Sequence, residues 1–247
     1  MTRPVFVTSP DALRSARSGS RLVLDGPEGR HAAVVRRIGP GEQVDLVDGA
    51  GLRAIAEVLA AGHDGLEVTV VDVIEELPPA PRFVLVQALA KGDRDDQAIE
   101  AATELGVDAI VPWQAQRSIV QWRGDRGRRS HGKWVDLVRA AAKQSRRARF
   151  PEVEPLVDRS GLVRRIEQAT VAYVLHEEAT EPLATAELPP EGEVLLIVGP
   201  EGGIAPEELT AFTEAGARTV RIGHTVLRSS SAGPAALAVL SARERWR

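Results

Sequence analysis

Cysteine is absent from the 247 residues. Disulfides, thiolate metal sites and cysteine nucleophiles are therefore excluded. The five histidines, His31, His63, His131, His176 and His224, stand far apart with no metal-ligand spacing, so no metal is expected. No run approaches the roughly 20 apolar residues of a membrane span, and the first residues, MTRPVFVTSPDALRS, lack the apolar stretch of a signal peptide. The expectation is a soluble, cytoplasmic protein with no membrane partner. Both common phosphate-binding fingerprints are also missing: no Gly-rich loop ends in Lys-Ser/Thr, and no Gly-x-Gly-x-x-Gly follows a strand. Aromatics are scarce, and no internal repeat or low-complexity tract occurs.

What is present is unevenly charged. The chain carries a net charge of -4, yet residues 117–149 hold eleven lysines and arginines against only Asp125 and Asp136. One dense basic segment in a mildly acidic protein suggests a polyanion partner at one place, the alternative being a solvated helix face. The length allows one large domain or two modest ones. The segment ELPPAPRF, 76–83, places three prolines in four positions, which neither a helix interior nor a central strand accommodates. It predicts a boundary, with domains at 1–77 and 78–247.

Before that boundary, residues 21–25, 42–49, 52–60 and 66–76 are alternating or β-branched, with a hairpin signal at VDGAGL. A short helix is expected over 27–37. Several strands in so short a stretch suggest a small β-barrel. After the boundary the rhythm becomes strand and helix in alternation. Strands are expected at 82–89, 107–113, 171–177, 193–199 and 218–223, and helices at 93–106, 131–147, 206–216 and 231–246. That order predicts an α/β domain with a mostly parallel sheet covered on both faces.

Three loops follow strands of that sheet, where α/β proteins place ligands. In VLLIVGPEGGIAPEEL, 194–209, a buried strand runs into Gly-Pro-Glu-Gly-Gly. Such a turn offers backbone groups and little bulk, and leaves one carboxylate, Glu201, in its middle. In RIGHTVLRSSSAGPAAL, 221–237, Ser229, Ser230 and Ser231 suit a helix N-cap, whereas Arg228 sits where a helix dipole disfavours a cation. In LVQALAKGDRDDQ, 85–97, Asp93 suits a cap, and Lys91 and Arg94 could reach phosphate.

The stretches ALAKGDRDDQAIEAATELGVDAIVPWQAQRS, AAAKQSRRARFPEVEP, LIVGPEGGIAPEEL and IGHTVLRSSSA resemble the successive motifs of the bacterial 16S ribosomal RNA uridine-N3 methyltransferases, of the SPOUT class. RPVFV and HAAVVRRIGPGEQVDLVDGAG resemble that family's N-terminal PUA-like barrel. The resemblance runs in order along nearly the whole chain. It implies a trefoil-knotted α/β methyltransferase domain, S-adenosylmethionine as cofactor, a homodimer, and a uridine of 16S ribosomal RNA, on the assembled 30S subunit, as target. It maps the cofactor pocket onto Leu175, His176, Val198, Gly199, Pro200, Glu201, Gly202, Gly203, Ile222, Gly223, Leu227, Arg228 and Ser230. Arg228 and Glu201 are the catalytic candidates. RNA is expected along Arg3, Arg30, Arg36, Arg37, Lys91, Arg94, Arg123, Arg126, Arg128, Arg129, Lys133, Lys143, Arg146 and Arg147. Trp113, Trp122 and Trp134 flank the basic stretch, with Trp134 expected in a core or interface.

One position departs from the family pattern. An acidic residue and a threonine are expected shortly after the Leu-Arg, and this chain has Ser230 where the acid would stand. A neutral serine is not an effective base, so the base lies elsewhere, Glu201 for example, or stabilising the uridine anion suffices. Two alternatives stay open: a SPOUT enzyme acting on another RNA position such as a ribose 2′-hydroxyl, and a non-catalytic RNA-binding or ribosome-assembly protein. A nucleotide-dependent oxidoreductase ranks far lower, lacking the fingerprint.

Overall fold

The structure, a computed structural model, describes residues 3–246. The chain forms two compact units: Met1–Pro78 with Ala142–Phe150, and Pro79–Ala141 with Pro151–Arg247. Among the described residues no helix is long and apolar enough to cross a membrane.

The first unit is built on β1 (Val5–Val7), β2 (Arg21–Leu24), β3 (Gln43–Val47), β4 (Leu52–Gly62) and β5 (Gly65–Glu75), with helices α1 (Pro10–Ser15) and α2 (Gly26–Arg30). The sheet order is β1-β3-β4-β5-β2, antiparallel except for the β1–β3 pair. Alternate residues Val44, Leu46, Ala54, Ala56, Val58, Leu66, Val68 and Val70 form one core with Phe6, Leu13 and Leu24, the pattern that period-2 burial dictates. In hydrogen-bonded order β1 and β2 are the outer strands of this sheet. The helix expected over 27–37 is regular only through Arg30. It continues as a π-helical turn, His31–Val35, and stops where Arg37 takes φ +55°.

Segment 142–150 belongs to this unit through specific contacts. Ala148 packs with Val5 and Val47, and the Ala148 carbonyl accepts from the Gly51 N–H. Lys143 Nζ binds both oxygens of Glu28 at 2.6 and 2.8 Å. Arg149 donates to the Glu76 carbonyl at 2.8 Å.

The second unit holds a seven-stranded parallel sheet. Its strands are β6 (Arg82–Ala88), β7 (Ala109–Trp113), β8 (Glu152–Val153), β9 (Val171–Leu175), β10 (Glu181–Pro182), β11 (Glu193–Val198) and β12 (Arg218–Arg221). Their order is β10-β12-β9-β11-β6-β7-β8. Helices α3 (Arg94–Glu104), α4 (Gly124–Gln144), α5 (Arg159–Gln168), α6 (Pro206–Glu214) and α7 (Ser229–Glu244) complete the unit, save that α4 ends in the 142–150 segment. Both faces of the sheet are buried. Phe83, Leu85, Leu196 and Val198 enter one core with Ile99 of α3 and Leu237 of α7. Val84, Val86, Leu195 and Ile197 enter the other with Leu162 of α5 and Phe212 of α6. This two-sided burial explains why β6 and β11 are continuous apolar runs.

Two helices differ from expectation. α4 starts at Gly124, not 131, and its first turns include Gly127, where a Cβ would lie 2.9 Å from the Trp122 carbonyl carbon. α5 was not expected. Asp158 caps it by accepting from the Gly161 N–H at 2.8 Å, and Leu162 and Ile166 bury one face.

Candidate cofactor and RNA site

The carboxyl ends of β9 and β11, the loop after β12 and the start of α7 enclose a cavity of about 390 Å³, within the usual size of a small-molecule site. Leu175, His176, Val198, Gly199, Pro200, Glu201, Gly203, Leu227 and Arg228, all expected, line it. Ile222 and Gly223 line a smaller adjoining hollow of about 80 Å³. Gly202 and Ser230 line neither. The Gly202 carbonyl instead accepts from Arg117 at 3.0 Å. Ser230 is displaced because α7 begins at Ser229 with Arg228 in the N-cap position, so the three serines form its first turn and do not cap it. Asp93 holds the equivalent place before α3, likewise without a side-chain cap bond.

Sequence reasoning missed Ser229, Glu177, Ile204, Val226 and Ala232, which also line the cavity. Ser229 is 8% exposed, and its Oγ is buried with no hydrogen-bond partner among the described residues. Its spacing to buried Gly233 and Ala236 carried the signal. His176 Nδ1 accepts from the Glu178 N–H at 3.2 Å, which leaves the proton of the neutral ring on Nε2.

The Gly-Pro-Glu-Gly-Gly turn has a steric reason. A Cβ on Gly199 would meet Ile204 Cγ1 at 2.7 Å, and Gly203 takes φ +72° while its N–H closes on the Pro200 carbonyl at 2.9 Å. Glu201 ties this turn to the loop after β6: it accepts from the Lys91 N–H at 3.0 Å and from Arg94 at 2.8 Å. Burial pushes its carboxyl up, but its own backbone N–H, the Arg94 guanidinium and the Lys91 N–H outweigh that, so the pKa is lowered from 4.5. The tie is therefore complete above the ordinary carboxylate range and is lost only as pH falls through the lower, folded value. Glu201→Gln keeps the shape and removes the charge. Its expected effect is a weakening of cofactor affinity by about tenfold, roughly one charge-assisted hydrogen bond, read by calorimetric titration.

Asp95, in the first turn of α3, shows the opposite shift. Burial raises its pKa to about 6, against the N–H of Ala90, which it accepts at 3.4 Å. An acid raised from 3.8 to about 6 destabilises the folded state increasingly as pH rises through that window, and not below it. Asp95→Asn is expected to stabilise the protein by about 2 kcal/mol at pH 8, after discounting for residual solvent, and to have little effect at pH 4. Urea unfolding at the two pH values reads the difference.

The expected RNA-binding cations divide into two groups. Arg3 pairs with Asp45 at 2.5 Å, Arg94 with Glu201, Arg128 with Asp125, and Lys143 with Glu28. Arg147 donates to the Arg149 carbonyl at 3.0 Å. Arg30, Arg36, Arg37, Lys91, Arg123, Arg126, Arg129, Lys133 and Arg146 are exposed, and among the described residues none makes a salt bridge. The cations of α4 available to a polyanion are Arg126, Arg129 and Lys133 in its amino-terminal half and Arg139 further along, with Arg123 just before the helix. Trp113 and Trp134 are core residues, at 0% and 2% exposure. Trp122 is half-buried, edge-on to Trp134 with ring centroids 4.9 Å apart.

Residues 78–241 match the family model for an RNA methyltransferase domain, and residues 24–71 the model for an RNA methyltransferase PUA domain. The ribosomal RNA small subunit methyltransferase E of Mycobacterium tuberculosis is 46% identical over 234 residues, covering 93% of this chain and 89% of the relative. The Bacillus subtilis protein of the same name is 27% identical over 226 residues, 88% of each chain. A crystal structure of the Neisseria gonorrhoeae protein of that name, bound to S-adenosyl methionine, is similar with a TM-score of 0.84 at 25% identity, covering 98% of both chains. With two thirds of its length matched by the catalytic-domain model and close to half its residues shared with a relative of nearly full coverage, the chain belongs to the ribosomal RNA small subunit methyltransferase E family.

Proposed function

We propose that this protein transfers a methyl group from S-adenosylmethionine to N3 of a specific uridine in 16S ribosomal RNA, acting as a homodimer on the assembled 30S subunit in the cytoplasm. In this reading residues 1–77 form the PUA-like RNA-binding domain and 78–247 the methyltransferase domain. The observation that carries the proposal is the cavity at the carboxyl ends of β9 and β11, which joins apolar walls to a guanidinium, Arg228, that has no hydrogen-bond or ion-pair partner among the described residues.

The lining suits the cofactor. Leu175, Val198, Ile204 and Leu227 offer apolar area to an adenine, and the 199–203 turn offers backbone groups to its edge. Glu177 sets a carboxylate beside a molecule that carries a sulfonium and an ammonium, and Glu201 joins it already paired with Arg94, which lines the same cavity. When bound, S-adenosylmethionine supplies an electrophilic methyl group. The chain's own task is the imide proton, because neutral N3 has no available lone pair. Glu201 is a weak base here, held ionised by Arg94 and the Lys91 N–H, and serves to fix the loop. Arg228 stabilises the anion on the uracil carbonyl oxygens, and the proton passes to solvent.

The test gives labelled S-adenosylmethionine and protein to unmodified 30S subunits and to naked 16S RNA, then identifies digested nucleosides by mass. 3-Methyluridine from the 30S arm is the expected product. A 2′-O-methyl nucleoside would move the enzyme to another RNA position. Cofactor binding without transfer to either substrate would favour an RNA-binding protein, in line with Ser230.

A further inference from the structure

A second hollow in the methyltransferase unit, about 450 Å³, has no part in the chemistry above. It lies between loop 114–123 and the first turn of α5, and its chemically active lining is Trp122, Arg123, Asp158 and Arg164. The loop is built to hold Trp122 in place. Gln114 donates to the Val120 carbonyl at 2.9 Å and accepts from the Trp122 N–H at 3.2 Å, so one side chain clamps both ends of the bend. Behind it, Trp134 meets the Trp122 ring edge-on at an interplanar angle of 75°. Arg123 and Arg164 are exposed, and among the described residues neither makes a hydrogen bond or salt bridge through its guanidinium. Asp158 Oδ1 is occupied by the Gly161 N–H and the Ser160 hydroxyl, at 2.8 and 2.7 Å, while Oδ2 has no hydrogen-bond partner among the described residues.

We propose that this hollow is a docking subsite for one unstacked nucleotide of the RNA substrate, with its base against Trp122, its flanking phosphates on Arg123 and Arg164, and a base amino or imino group on Asp158. The inference rests on the RNA reading given above. A free phosphate has no use for an aromatic face or a carboxylate, and an apolar ligand has none for two guanidiniums. A nucleotide uses all three. The base must be unpaired, since a duplex keeps its faces stacked and a single strand can present them to an aromatic ring.

The experiment measures fluorescence anisotropy of a labelled single-stranded RNA of roughly ten nucleotides with the full chain, without cofactor, over a salt series. Trp122→Leu is expected to weaken binding about tenfold, one base–aromatic stack, and Trp122→Phe to retain most of it. Arg123→Gln with Arg164→Gln is expected to flatten the slope of log affinity against log salt by about 1.4, two single-strand phosphate contacts. The same RNA in duplex form should show no dependence on Trp122. In methyl transfer, the KM for RNA should rise in these variants while the Kd for S-adenosylmethionine stays put. Since Trp122 packs on Trp134, its leucine variant could misfold; the exposed arginine pair then decides the matter alone. Wild-type affinity and salt slope in the folded variants would overturn the subsite even if 3-methyluridine is made. Trp122-dependent RNA binding without any methyl transfer would leave the subsite standing and remove the proposed reaction.

Discussion

Arg228→Ala is expected to lower the rate of methyl transfer by about 10²–10³-fold, the usual cost of removing one preorganised donor from a developing oxyanion, with the affinity for S-adenosylmethionine nearly unchanged. The position explains why the effect should not be one on folding. Arg228 occupies the N-cap of the sixteen-residue α7 with an extended ψ of 154°, and its side chain caps nothing. A cation at a helix N-terminus is opposed by the dipole, by about 0.3–1 kcal/mol, and among the described residues no carboxylate forms an ion pair with it. The variant should therefore melt at the wild-type temperature or slightly above it, which separates chemistry from folding. Arg228→Lys keeps the charge but loses the planar fork that fits a carbonyl oxygen, so partial rescue is expected. The pH profile gives an independent check. With the anion no longer stabilised, the imide proton leaves at higher pH, and the variant's rate should climb steeply in alkaline buffer where the wild type has levelled off. An unchanged kcat/KM in Arg228→Ala would remove the electrostatic role.

The features legible in the sequence were those set by local chemistry. β6 and β11 announced themselves as apolar runs because both sheet faces are covered. The Gly-Pro-Glu-Gly-Gly turn announced itself because a Cβ at Gly199 has no room. The motifs that carried the family resemblance are these same strand-end loops, which is why the family assignment holds. Features that depend on distant pairing were not legible. No periodicity says that β9 lies between β11 and β12, and the knot entered only through the resemblance. Lys143 looked like an RNA contact until its partner, Glu28, proved to be 115 positions away. Ser230 entered the expected pocket through the resemblance alone, and a row of serines does not reveal which one precedes a helix and which one begins it; with Arg228 as N-cap, Ser229 lines the cavity.

Glu208 lies in the same motif, and its removal is expected to destabilise the fold by about 3–5 kcal/mol. The side chain is 1% exposed at the third position of α6. One oxygen accepts from the Ala205 N–H at 3.2 Å, closing the helix start upon itself. The other accepts from the Gln116 N–H at 2.8 Å, fixing the loop after β7 to the end of the Gly-rich turn. Glu208→Ala leaves two backbone donors without acceptors where water has poor access, each worth about 1.5–3 kcal/mol for a bond to a carboxylate, and adds a small void. Glu208→Gln retains an amide oxygen for one of the two donors and should recover about half the loss. Chemical denaturation reads both, and the cofactor supplies a second readout. Residues 199–205 are held between Glu201 at one side and Glu208 at the other, so a loosened Ala205 should weaken S-adenosylmethionine binding even at temperatures where Glu208→Ala remains folded. A variant that loses stability but binds the cofactor with wild-type affinity would confine Glu208 to the helix start and detach it from the site.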